Sequence, residues 1–396
     1  MVCSTDCYNY AHASRAERAT MKQPFLLIRL PIVLLTGFVL LGCSPDAPEA
    51  SVEGPAAITA AAGTPVATTQ DTSTPSEVPE VIVVVGIDGL IERLQQEDWW
   101  GEVNREEQLT VPHLMIARIH PAWRIVAPDL PVPQKKAVFY RLMLPLVMHA
   151  NEMVMDRREK LLQGREAIAA GQELTSAQLE QLRQAAVLLR VMNEEEAAAL
   201  TASTPELTAV IDDMLYRLDV VPAGLALGQA AYESGYGTSR FAADGNALFG
   251  QWTYGGGGMA PEQQRKEKGN YGVAAFDWPF DSVRGYFINL MSHPAYEDFR
   301  RLRAELRAAG EPLSSLRLAD GLVRYSERGQ EYVDSLKGMI RVNGLDVADN
   351  AVFRDEPMRF ILSEGTPEEA AALQQKIAEA RASGDLAEIY ARMRLE

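Results

Sequence analysis

Residues 224–241 read GLALGQAAYESGYGTSRF, a run of small and apolar residues that carries one acid, Glu233, and then breaks into Ser-Gly-Tyr-Gly. Leu225, Leu227, Ala231 and the small residues around them suit a helix lying closely against other helices. Gly235 and Gly237 supply the backbone freedom that ends it. The chain must therefore build a helical core around this segment and leave a carboxyl at its end. That carboxyl follows Ala230, Ala231 and Tyr232 at the negative end of the helix dipole, and both the weakly polar neighbours and the dipole raise its pKa. Such a group stays protonated near neutral pH and can donate to a glycosidic oxygen as a general acid. A surface Glu before a helix stop has the same spacing, so the segment alone leaves both readings open.

The rest of the chain is organised around this helix. VIVVVGIDGLIERLQQEDWW (81–100) reads as a short apolar strand and one amphipathic helix. A long helix is predicted from about Pro133, with Val138, Leu142, Leu146, Met153 and Met155 near helical spacing and Pro145 as a kink. Helices continue over 175–217, and Thr204-Pro205-Glu206 has the pattern of a helix start. Residues 242–280 change character, becoming rich in Gly and aromatics, and predict a loop-and-hairpin lobe with VAAF (273–276) as a strand. Helices resume at Asp281, and 351–396 reads as a charged helical tail. Trp252, Tyr254, Tyr271 and Trp278 in the hairpin lobe present flat rings that either stack on sugar faces or form a small core. An acid at a helix end facing a flexible aromatic lobe outlines a polysaccharide cleft.

Charge and residue counts exclude several chemistries. A formal charge of −16 opposes nucleic acid or an anionic membrane surface as a partner held by charge. The five histidines lack metal-ligand spacing, and Cys3, Cys7 and Cys43 all precede the first folded segment. No metal and no cofactor is implied, and nothing speaks to oligomeric state.

From Met21 the sequence runs MKQPFLLIRLPIVLLTGFVLLGCSPD, with Lys22 and Arg29 before an apolar run from Leu30 to Leu41. This is the layout of a secretory signal. Its end, Leu40-Leu41-Gly42-Cys43, resembles a bacterial lipobox in which Cys43 is lipidated and becomes the first mature residue. A transmembrane anchor and a cleaved signal without lipid are the competing readings, but the run is short of the ~20 apolar residues a spanning helix needs. Met21 is a natural start, leaving residues 1–20 as upstream sequence. Ser44 resembles the residue that sorts lipoproteins to the outer membrane of a Gram-negative bacterium. The expected location is the periplasmic face of the envelope, with 44–80, rich in Ala, Pro, Thr and Ser, as a flexible tether.

Five segments occur in order: QAAYESGYG (229–237), NALFGQW (246–252), AAFDWP (274–279), NLMSHPAY (289–296) and YSERGQEYV (325–333). They resemble the Bax-type glucosaminidases of glycoside hydrolase family 73, the mannosyl-glycoprotein endo-β-N-acetylglucosaminidase-like domains. KKAVFYRLMLPLVMHANE resembles the helical segment that precedes the domain in that branch. The resemblance implies a mainly helical α+β, lysozyme-like domain over 205–350 with a small β-hairpin lobe, preceded by a helical segment over 81–204. The implied substrate is the alternating GlcNAc and MurNAc strand of peptidoglycan, cut at its β-1,4 bonds.

On this resemblance Glu233 is the catalytic acid, and Tyr325 matches a tyrosine that orients water or an intermediate. A buried hydroxyl tied to backbone is the equal alternative for Tyr325. Phe249, Trp252 and Tyr271 are the sugar-facing candidates. One departure is Gly272, which stands where the resembling sequences carry an acid. Glu262, Glu267 and Asp277 are then the candidates for a second carboxylate, which a two-carboxylate mechanism needs at about 5 to 9 Å. Without one, the substrate's own N-acetyl group can assist or a mobile loop can bring an acid in; a lytic transglycosylase and an inactive glycan-binding envelope lipoprotein are the rival functions.

Overall fold

Val81, Val83, Val84 and Val85 favour extended backbone, and in the computed structural model they lie in strand β1 (Glu80–Val85), followed at once by helix α1 (Gly86–Gln96). Ile87, Leu90, Ile91 and Leu94 recur at helical spacing on the buried face of α1, as the sequence predicts. The structure describes residues 79–383 except 102, 104, 121, 204, 255–257 and 262–270. Cys43, its apolar run and nearly all of the tether lie outside the described residues. No described helix is long and apolar enough to cross a membrane.

The C-terminal tail differs from expectation. Strand β2 (Thr110–Val111) and strand β3 (Leu114–Ile116) come early in the chain, and strands β6 (Val352–Phe353) and β7 (Arg359–Glu364) come late. β7 is the middle strand of a parallel sheet in the order β1-β7-β3, while β2 pairs with β6. Only Pro367–Ser383 of the described tail is helical. A boundary at 350/351 therefore cuts through two sheets. Arg359 reinforces the closure with a two-pronged ion pair to Glu97, both contacts at 2.7 Å.

Between these strands the chain is almost all helix. Helix α2 is the short Trp123–Val126, and α3 is the predicted long helix, Val132–Ala169, with Pro145 buried inside it. Helices α4 (Ser176–Leu188) and α5 (Glu194–Ala199) each begin with a capping box, at Thr175 and Asn193. Helix α6 spans Leu207–Arg217, later than the predicted start; Glu206 precedes it without a side-chain cap bond, and Thr204 lies outside the described residues.

Helix α7 (Ala223–Ser234) is the opening segment. Every residue from Ala223 to Ala231 is buried, which is why its side chains are so small: α3, helix α12 (Gln330–Asn343) and the 3-10 turn Leu345–Asn350 close around it. A methyl on Gly224 would sit 2.3 Å from the Leu345 carbonyl oxygen. The helix can approach that backbone only with glycine there.

Helix α8 (Arg240–Gly245) leads into the hairpin lobe, where β4 (Trp252–Tyr254) pairs antiparallel with β5 (Tyr271–Val273). The second strand thus ends where VAAF was expected to begin. Past Val273 the Ala274 N–H bonds Gln251 and the Phe276 N–H bonds Gly245, so the chain leaves the ladder toward α8. Helices α9 (Pro279–Ser292), α10 (Glu297–Ala308) and α11 (Ser315–Leu318) follow, then a 3-10 turn over Ala319–Tyr325. The described chain is mainly helical with three small sheets, the α+β lysozyme-like class that the motifs imply.

Candidate active site

Gln229 and Glu233 are one helical turn apart, so both leave α7 on the same face. The following turn is built by its own sequence. Gly235, Tyr236 and Gly237 all take positive φ, and the Ser234 hydroxyl donates to the Ala230 carbonyl (2.6 Å) while accepting from the Gly237 N–H (2.8 Å). Tyr236 is the one non-glycine of the three. It is held by the Trp123 indole, which donates to its carbonyl at 2.9 Å, and by edge contacts with Phe139 and Tyr140. The segment before the glucosaminidase motifs therefore braces the turn directly behind the acid.

Glu233 keeps partial exposure to solvent, yet protein crowds its carboxyl. Burial raises its pKa, and a hydrogen bond from the Tyr332 hydroxyl acts in the opposite sense. Loss of solvent is the leading cause. Tyr286, Tyr296, Tyr325 and Tyr332 surround the acid; burial raises the pKa of each, and the negative charge of Glu233 raises it further. All four are neutral phenols beside a single carboxyl. The rings of Tyr325 and Tyr332 stack 5.5 Å apart, and Tyr296 lies against Tyr325 at 5.7 Å.

A chain of hydrogen bonds fixes the carboxyl from behind. The Tyr286 hydroxyl donates to Gln229 Oε1, Gln229 Nε2 donates to the Tyr332 hydroxyl at 3.0 Å, and Tyr332 donates to Glu233. Gln229 is fully buried, so both ends of its amide need these partners. Gly250 approaches from the front at φ 60°; a Cβ there would lie 3.5 Å from Glu233 Oε2. A carboxyl held this way, desolvated and still reachable, is equipped to deliver a proton.

The other sequence candidates fall differently. Tyr325 donates its hydroxyl to the Phe249 carbonyl at 2.9 Å, the backbone-tied arrangement weighed above, which leaves only its oxygen lone pairs for a water. Phe249 is 1% exposed and stacks face to face on Tyr286 at 4.0 Å. Trp252 and Tyr271, 5% and 3% exposed, stack on each other at 4.8 Å. None of the three turns a ring face to solvent. A hairpin of two three-residue strands has little else to bury, so its aromatics become its core. Asp277 is exposed just before α9, Gly272 is buried in the ladder opposite Thr253, and Glu262 and Glu267 lie outside the described residues. Of the three candidates, then, only Asp277 lies among the described residues, and it is exposed.

Gln229, Tyr286, Tyr296 and Tyr332 were missed by sequence reasoning. Three of them stand inside the motifs quoted above: Gln229 opens QAAYESGYG, Tyr296 closes NLMSHPAY and Tyr332 is in YSERGQEYV. The usable signal was Gln229 at four residues before the acid, which fixes it on the same helix face.

Comparison with known proteins bears on the same stretch. The mannosyl-glycoprotein endo-beta-N-acetylglucosaminidase family matches residues 211–345. Protein bax of Escherichia coli (strain K12) is 35% identical over 130 residues, which is 33% of this chain and 46% of that protein. The chain thus matches about half the length of this relative. No solved structure matches the chain. The acid, its tyrosine surround and the hairpin lobe all fall within the matched stretch, and residues 211–345 form a Bax-type glucosaminidase-like domain.

Proposed function

We propose that the protein cuts the β-1,4 glycosidic bonds of peptidoglycan glycan strands as an endo-β-N-acetylglucosaminidase, with Glu233 as its general acid. The observation that carries this reading is the desolvated, partly exposed Glu233 carboxyl inside a glucosaminidase domain. Protonated Glu233 donates to the glycosidic oxygen as the bond from the sugar's anomeric carbon breaks. The carboxylate left behind is stabilised by the Tyr332 hydroxyl, which Gln229 holds in register. The Tyr325 oxygen, its proton committed to Phe249, can accept a hydrogen bond from the incoming water, whose oxygen bonds the anomeric carbon while its proton returns to the Glu233 carboxylate.

A lone helix-end Glu on a lysozyme-like fold supports one further reading. In a lytic transglycosylase the sugar's own 6-hydroxyl attacks, and one carboxyl serves as acid and then base. Mass spectrometry of digested sacculi separates the two. Reducing GlcNAc ends are expected, and 1,6-anhydro-MurNAc ends would overturn the hydrolase reading.

Removing the Tyr332 hydroxyl tests the acid's setting. That hydrogen bond lowers the Glu233 pKa, so Tyr332→Phe raises it, and the acid form persists to higher pH. The alkaline limb of kcat/KM against pH should move upward. An unmoved limb would separate the titrating group from Glu233.

The envelope location is proposed from the lipobox-like Leu40-Leu41-Gly42-Cys43 and the basic, apolar stretch before it. A lipid on Cys43 and a tether to about residue 80 would give the domain reach into the wall. In membrane fractionation the wild type should sediment with membranes and Cys43→Ser should lose its lipid label; equal labelling of both would remove the anchor.

A further inference from the structure

The five histidines look scattered in the sequence, but the fold brings two of them together with an acid. His113 comes from the link between β2 and β3, and His149 and Glu152 from adjacent turns of α3. One ligand atom from each lies within 4.8 Å of the others. We propose that His113, His149 and Glu152 form a binding site for a divalent transition metal of the zinc class, distinct from the Glu233 site and tying the β2–β3 link to the long helix.

The donor set and its spacing fit that chemistry. Two imidazoles and one carboxylate are a zinc ligand set, with metal bonds of about 2.0–2.2 Å that put tetrahedral ligand atoms about 3.4 Å apart. His149 Nδ1 and Glu152 Oε2 are already 3.4 Å apart. The Glu152 side chain is 52% exposed, free to swing inward and close the wider gap to His113. Three protein ligands leave a fourth position for water. Magnesium and calcium prefer all-oxygen shells and are poor matches.

His113 is unusually well fixed for a loop residue. Its N–H donates to Glu356 Oε1 at 3.0 Å, its carbonyl accepts from the Arg359 N–H at 2.8 Å, and its ring stacks on Phe353 at 4.1 Å. Its Nε2 is buried with no hydrogen-bond partner, a costly state for an imidazole nitrogen that has nothing to bind. The His149 ring lies 5.2 Å from Phe280, and next to Glu152 the Asn151 amide bonds Val221 on both its N–H and carbonyl, anchoring this turn of α3. Ligands oriented by such outer contacts lose little freedom on binding. Outside this cluster, no described group of three such side chains is close enough to hold an ion.

The test is titration of ZnCl2 into the full chain, untagged and chelator-treated, with Cys3, Cys7 and Cys43 replaced by Ser so that no thiol competes. Calorimetry should show one zinc per chain, and thermal unfolding should shift upward by several degrees in zinc and not in MgCl2. Glu152→Ala, an exposed change, should keep the zinc-free melting temperature and weaken zinc binding about tenfold or more; His149→Ala should weaken it at least as much. Absence of saturable binding by the parent chain would overturn the proposal. So would Glu152→Ala binding zinc as the parent does, which would place the ion on other surface groups, and that arm decides the matter if His149→Ala does not fold.

Discussion

Glu233→Gln should lower glycan cleavage by about a thousandfold or more while leaving the fold intact. General acid catalysis alone is worth about 10²–10⁴ in rate, and the amide cannot donate the proton that a departing sugar oxygen needs. Gln is close in size to Glu and can still accept from Tyr332, so the tyrosine surround should persist. The circular dichroism spectrum and melting temperature should stay near wild type. An active Glu233→Gln protein would move the acid elsewhere.

The second large effect concerns stability. Arg303 is 1% exposed in α10 and donates to the carbonyls of Asp219 (2.8 Å), Val220 (3.4 Å), Tyr216 (3.4 Å) and Arg217 (2.5 Å). It closes the end of α6 and fixes the approach to α7, the helix that carries Glu233. Burial pushes its pKa down to about 10, with the Asp219 charge opposing that fall, so it stays cationic at neutral pH. Arg303→Ala would take this donor from one buried carbonyl, Asp219, and from three part-buried ones. Asp219 would keep Arg307, which grips its carboxylate at 2.9 and 3.0 Å, so the cost comes mainly from the carbonyls. A loss of about 3–5 kcal/mol is expected, the range for stripping one side of a buried charged network. Urea unfolding should show a lower midpoint at unchanged slope. A loss below about 1 kcal/mol would mean that water or neighbouring donors replace the guanidinium.

What the sequence made legible follows from how local each signal was. Glu233 at the end of a small-residue helix, the glycines that stop it, the apolar face of α1 and the long α3 all rest on patterns within about three turns, and they hold in the structure. RFILSE was read as part of a charged tail because a central strand buried from Phe360 to Glu364 has no in-out alternation to reveal it. Its partners lie some 245 and 279 residues earlier, at Leu114 and Glu80. Phe249, Trp252 and Tyr271 stood as sugar-facing candidates because aromatics in a glycine-rich lobe carry no mark of which way they face; in the structure Trp252 and Tyr271 form the hairpin's own core, and Phe249 packs on Tyr286 of α9. Gln229 binds Tyr332 across 103 residues and His113 meets His149 across 36. Pairings of that range leave no periodicity to read.

Glu233 as the proton donor of a wall hydrolase is tested most directly by digestion of purified sacculi with the wild type beside Glu233→Gln. Both proteins should be shown to be folded and to bind the sacculi. The wild type should release soluble muropeptides with reducing GlcNAc ends, and Glu233→Gln should release almost none. Sacculus binding without digestion by the wild type, or equal digestion by both proteins, would contradict it.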